Sequence, residues 1–368
     1  MNTHHCLPDT RAFPTDPVKN DLLMHAASLA NPTSKAQTTL ARESLHVEIS
    51  RMLAQNHYTN LAVALSMAAS SKIYNILWEG LENVLQAHTP TEVQWLALPV
   101  IVVGGAKENI RLPDTIPVAS IAEIFKNQPW TDAWQTIHWA PHLINDTTLT
   151  HIKASLWFAA KQNPQSAAEF LSQLPHTPLI VETGQSVQVF YALGFAGSDI
   201  LPALGHQLAD TALPLMQVWQ THLASAGATL FTNPLPPQSP LNALRSGSAM
   251  RLRMACDVFT TNAIRSIRLQ SPRVGVVIAA QDGGNILFGF NATDSAFELQ
   301  PQIFRWPLTQ ADDIDTIVQN FIDLLAECHV ENIHLLHEPI SAQAQLPSYA
   351  QSINMIGHNP LFPAEPLT

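Results

Sequence analysis

The chain has 368 residues, 46% hydrophobic but only 13% charged, with a formal net charge of −11. That length exceeds one ordinary core and fits two or three compact units, and the acidic balance excludes general binding of nucleic acid or anionic membrane over most of the surface. Cys6, Cys256 and Cys328 are odd in number and far apart, which excludes a disulfide framework and fits a reducing cytoplasm.

Acids and prolines in the first twenty residues stand where an export signal would need a basic start and an apolar run. Residues 1–33 read as a loose N-terminal arm, with one short helix near Lys19–Leu29. From 34 to 90 the composition turns to Ala, Leu, Met, Glu and Gln. Leu40, Leu45, Ile49, Met52 and Leu53, and then Leu61, Leu65, Ala68, Ile73, Ile76 and Leu77, recur at helical spacing. Two or three packed helices are expected there.

Residues 91–231 read as an α/β region packed with that helical region. Val93–Val103 is a buried strand leaving into Gly104-Gly105, and the apolar run that ends at Ala106 is too short for the ~20 residues that span a bilayer. Helices are expected around Ala119–Lys126, Leu149–Gln162 and Ser166–Leu174. A second strand, Pro178–Val181, runs into the turn Glu182-Thr183-Gly184 and a helix over Val187–Leu193. Four prolines in residues 232–241 mark a connector.

Residues 242–340 read as a C-terminal α+β domain. A helix over Gly247–Leu269 precedes a hairpin in which VGVVIAA and NILFGF flank Gln281-Asp282-Gly283-Gly284. A strand near Phe297–Trp306, a helix over Ala311–Cys328 and a strand Asn332–Leu336 follow, and 341–368 is an irregular tail. The fold class is therefore α/β or α+β. The element order of the last domain resembles a ribonuclease-H-like or actin-like core, and its opening helix and hairpin equally resemble a roadblock-like or profilin-like fold. A ribonuclease-H-like nuclease needs an acid on its first strand, and VGVVIAA has none before the turn.

Charge is distributed unevenly. Arg245, Arg251, Arg253, Arg265, Arg268 and Arg273 fall in one stretch with a single acid, Asp257, and no lysine. Arginine suits bidentate contacts to carboxylate or phosphate. About fifty residues downstream, Asp312, Asp313, Asp315, Asp323, Glu327 and Glu331 lie in a stretch without Lys or Arg. The two stretches are expected to pair within the molecule or between subunits, with an external anionic ligand as the alternative. Asp312, Asp313 and Asp315 also suit a helix start, where free N–H groups and the macrodipole favour negative charge.

Catalytic patterns are sparse. Strand, Gly184-Gln185-Ser186 and helix resemble the nucleophile elbow, with Gln188 where the motif has its last glycine, and Gly357-His358 resembles the segment that carries the base of α/β-hydrolases. Three histidines crowd Glu327–Glu338, but His334 and His337 sit at an odd spacing on an expected strand and point to opposite faces. No metal or cofactor is expected. The functional expectation is a soluble, cytoplasmic binding or assembly component that uses the six arginines to engage a protein partner or further copies of itself. Nucleic-acid or anionic-ligand binding through Arg251–Arg273, and serine hydrolysis through Ser186 and His358, are the alternatives.

Overall fold

The computed structural model describes residues 7–13, 20–55, 57–88, 93–104, 108–113, 115–125, 136–159, 164–174, 176, 178–181, 187–197, 208–224, 229–230, 237–293 and 301–356. Helices and sheets are mixed, with a helical N-terminal region, as the fold class requires. The chain divides into two compact units, Met1–Val84 with Cys256–Thr368, and Leu85–Ala255. The division is not the linear series of domains read from the sequence, because the N-terminal helices group with the C-terminal sheet.

Four helices open the first unit: α1 (Asp21–Ala30), α2 (Lys35–Ala54), α3 (Tyr58–Ser66) and α4 (Ser71–His88), the last running across the division. Asn20 and Ser34 cap α1 and α2 by accepting from the N–H groups of Leu22 and Gln37. The buried stripe of α2 is Ala41, Leu45, Ile49 and Met52. Leu40, expected in that stripe, is instead exposed, because a step of five residues to Leu45 leaves the face that steps of three and four maintain. The side-chain amide of Asn75 donates to the carbonyl of Ala311 at 3.1 Å, and the side-chain amide of Gln310 to the carbonyl of Ser66 at 3.2 Å, tying these helices to the C-terminal part of the unit.

In the second unit, β1 (Gln94–Val103) pairs antiparallel with β2 (Val187–Ala196) along the full length of both strands, from Gln94 opposite Ala196 to Val103 opposite Val187. The expectation of a helix over Val187–Leu193 is thus corrected. VQVFYALGFA is rich in β-branched and aromatic residues and is buried on both faces, a short apolar run that periodicity alone does not separate from a helix. His138–Trp139 and Ile144–Asn145 pair with β2 on its other side. Ala97 exchanges both backbone hydrogen bonds with Gln238, so the backbone of Pro99, two residues on, faces that same side, away from β2. A proline is tolerated there because no described strand needs its missing N–H. Among the described residues the helices of this unit are α5 (Val118–Phe125), α6 (Asp146–Ala159), α7 (Pro164–Ser172), α8 (Leu208–Ala224) and the first half of α9 (Pro240–Arg268). Residues 237–241, read as part of a connector, are instead bridged to β1 and begin α9.

The rest of the first unit is the second half of α9, β3 (Val274–Gln281), β4 (Asn285–Ala292), β5 (Gln302–Pro307), α10 (Ile314–Glu327), β6 (Asn332–Ile340) and α11 (Tyr349–Ile356). The sheet order is β5-β4-β3-β6, antiparallel except for the parallel pair β3 and β6. Gly283 and Gly284, at φ 92° and 77°, make the hairpin turn that a residue with a Cβ would strain. One face of the sheet buries Val276, Ile278, Phe288 and Phe290 against Ile264 and Ile267 of α9 and Val318, Phe321 and Leu325 of α10. The other face buries Val277, Ala279 and Leu287 beneath Leu346 and Tyr349. Glycines make the seats: a Cβ at Gly275 would lie 2.4 Å from Tyr349, and one at Gly289 would lie 2.3 Å from Leu346.

The expected loose arm is docked where it is described. Leu7 enters the core under the sheet. The Thr10 hydroxyl donates to the Gln281 carbonyl at 2.7 Å, and Arg11 donates to the carbonyls of Thr309 and Asp312, both at 2.7 Å, while pairing with Asp9.

Burial raises the Cys256 thiol to about 12 and the Tyr191 phenol to about 12, from 9.0 and 10.0. In both cases the folded state favours the neutral form, so unfolding in alkali releases protons and stability falls as pH rises from about 9 towards about 12. Urea unfolding followed across that range is expected to show this decline, and Tyr191→Phe is expected to flatten its upper part; a stability independent of pH above 9 would contradict the burial of both groups.

Candidate interaction site on an arginine-bearing helix

The residues that define α9 also decide where its arginines go. Pro240 stands in the first turn, where its missing N–H is no loss, and the Ser239 hydroxyl accepts from the N–H of Asn242 at 3.3 Å. In the Leu85–Ala255 unit the helix buries Ala243, Gly247 and Met254. A Cβ at Gly247 would lie 2.7 Å from the Tyr191 hydroxyl, so only glycine lets the helix approach β2 this closely. In the other unit the buried stripe is Cys256, Thr260, Ala263, Ile264 and Ile267.

Each stripe leaves charged residues outside. Arg251, Arg253, Arg265 and Arg268 are exposed on the helix, Arg273 is exposed just before β3, and Arg245 is half-buried. Among the described residues no carboxylate lies within 4 Å of Arg251, Arg253, Arg265, Arg268 or Arg273, whereas Arg11 meets Asp9 at 2.6 Å and Arg51 meets Glu48 at 2.5 Å. The expected side-chain pairing of these five arginines with the acidic stretch is therefore not made within the chain.

One arginine does reach the acidic helix, by a different chemistry. The guanidinium of Arg268 donates to the carbonyls of Cys328 at 2.8 Å and His329 at 3.1 Å. These carbonyls end α10, where unpaired C=O groups and the negative end of the macrodipole favour a cation. His329 turns the chain there in a left-handed conformation, φ 54°, the position usually held by glycine. Burial raises the nearby Cys328 thiol, and the Arg268 charge offsets part of that rise.

At the other end of α10 the acids have the local roles their positions suggest. The Asp312 carboxylate accepts from the N–H of Thr309 at 2.6 Å and from its hydroxyl at 2.9 Å. Asp313 is the N-cap, accepting from the N–H of Thr316 at 3.2 Å and from its hydroxyl. Asp315, Asp323, Glu327 and Glu331 are exposed, and Asp323 accepts from the Gln319 amide at 2.8 Å.

Ser186 and His358 both lie outside the described residues. The residue after Ser186 begins β2, so the helix that a nucleophile elbow needs at that point is replaced by a strand. His334 is half-buried on β6. Its Nδ1 is 2.8 Å from the Ser352 hydroxyl, and burial and then His337 lower its pKa. Among the described residues no three His, Cys, Asp or Glu side chains gather as a metal site would require.

Sequence reasoning missed two participants. Arg11, in a stretch read as loose, holds the start of α10. Leu269 follows α9 at 82% exposure, and its signal was its place four residues after Arg265, off the buried stripe.

Replacing His329 by glycine relieves the left-handed conformation of a residue with a Cβ and should stabilise the chain by about 0.5–1 kcal/mol. A higher urea midpoint at unchanged slope is expected; a lower one would show that the His329 side chain contributes more than its backbone strain costs.

No helix among the described residues is long and apolar enough to cross a membrane. Comparison with family models, with curated proteins and with solved structures finds no match for this chain.

Proposed function

We propose that this protein is a binding or assembly component that engages an acidic protein partner through the exposed arginines of α9. One observation carries the reading: Arg251, Arg253 and Arg265 stand in solvent without a carboxylate within 4 Å among the described residues, in a chain whose net charge is −11. Arginine holds carboxylates bidentately, and its weaker hydration than that of lysine lowers the cost of drying such a contact. A complementary acidic surface gains orientation and a faster encounter from such arginines, more than raw affinity.

A fluorescein-labelled oligoglutamate peptide, followed by anisotropy, tests this. Binding is expected at about 50 mM salt and should be lost by about 500 mM as screening shortens the range of the charges. Arg251→Glu combined with Arg265→Glu should weaken it by about tenfold or more, each tenfold being 1.4 kcal/mol. No binding at low salt, or binding indifferent to the double reversal, would overturn the reading. An oligonucleotide of equal charge bound more tightly than the peptide would transfer the arginines to a nucleic acid.

A further inference from the structure

We infer that the acidic partner of Arg265 is the α10 face of a second copy of this chain, in a two-fold symmetric dimer built by the unit Met1–Val84 with Cys256–Thr368. The inference rests on the reading of α9 as a docking helix and names what docks there.

Two patches of that unit carry matching patterns. At the end of α9, Arg265, Arg268 and Leu269 follow at i, i+3 and i+4. On α10, Asp323, Ala326 and Glu327 follow at the same spacing, and all three are exposed. Residues so spaced share one helix face. The acidic patch thus sets a small apolar residue between two carboxylates, and the basic patch places Arg265 one turn before a large apolar residue. Leu269 is large and 82% exposed, and Ala326 is small and exposed, so a leucine can approach α10 there without meeting a bulky side chain. Arginine is among the residues that carry binding energy at an interface, and apolar neighbours that exclude water around it support that role.

Within one chain the two patches do not pair among the described residues. Arg268 is committed to the carbonyls of Cys328 and His329, and no carboxylate lies within 4 Å of Arg265 among the described residues. That same Arg268 contact holds the end of α9 beside the end of α10. The basic and acidic patches are thus neighbours on the helical layer over one face of the sheet. A surface with adjacent patches of opposite sign is self-complementary about a two-fold axis. The basic patch of each copy meets the acidic patch of the other, and every contact is made twice.

Sedimentation velocity of the full chain over a concentration series, at about 50 mM and about 500 mM salt, tests this. A dimer is expected at low salt, with a dissociation constant that rises steeply at high salt. Arg265→Glu and Leu269→Asp should each raise that constant by about tenfold or more. These positions are exposed, and circular dichroism checks that the variants keep their helix content. The doubly reversed chain, Arg265→Glu with Asp323→Arg, should regain the dimer because that pair exchanges signs across the interface. A monomer at every concentration in low salt, a dimer indifferent to Arg265→Glu, or a reversal that the exchange does not rescue would each overturn the inference. If the chain is monomeric yet oligoglutamate binds it, the docking reading stands and the second copy as partner falls; if neither is seen, both fall.

Discussion

A guanidinium is costly to dry without a carboxylate beside it, and the second half of α9 must bury Cys256, Ala263, Ile264 and Ile267 to complete the core under the sheet. Those two demands leave Arg265 and Arg268 one placement, on the outer side of the helix. The end of α10 then takes Arg268, whose charge neutralises free carbonyls. At the start of α10, Asp313 is used as the cap and Asp312 holds the turn at Thr309. What remains on the helical layer is an arginine with a leucine at one place and two carboxylates around an alanine at another. The charge asymmetry of the sequence survives folding because the termini of α10 are satisfied by Asp313 and Arg268 without pairing the remaining arginines and acids.

The edges of the sheet point the same way. β5 ends on Pro307, and β6 carries Pro339 with an irregular register between Leu336 and Ile340. Prolines and irregular pairing blunt an open edge against another strand. Association by adding strands is discouraged at both ends, and the exposed helices are left as the place where another surface can fit.

Much of the C-terminal half was legible because its signals were local. Asp282-Gly283-Gly284 between two apolar runs specified the hairpin, and acids before an amphipathic stretch specified the start of α10. That α9 is a helix was legible, but the change of its buried stripe between Met254 and Cys256 was not, and that change leaves its arginines on no single face. The middle of the chain was harder, since VQVFYALGFA is apolar at nearly every position and its pairing with β1 is a contact about ninety residues distant in sequence. The grouping of Met1–Val84 with Cys256–Thr368 depends on long-range contacts of the same kind, such as Asn75 with Ala311. Leu7 and Arg11 were illegible as anchors because a single apolar residue and a single arginine carry no period. The fate of the arginines could be narrowed but not decided from charge counts, for the counts do not show that Arg268 would seek carbonyls rather than carboxylates.

Arg265 is not consumed by the acids of its own chain among the described residues. A double-mutant cycle between Arg265 and Glu327, each replaced by glutamine, measures this directly by urea unfolding at a protein concentration low enough to keep the chain monomeric. Sites that do not interact add to within about 0.3–0.5 kcal/mol, and a coupling inside that range is the result expected here. A coupling of about 1 kcal/mol or more would mean that the two side chains pair within one molecule, and the arginine would then have no charge left to offer a partner.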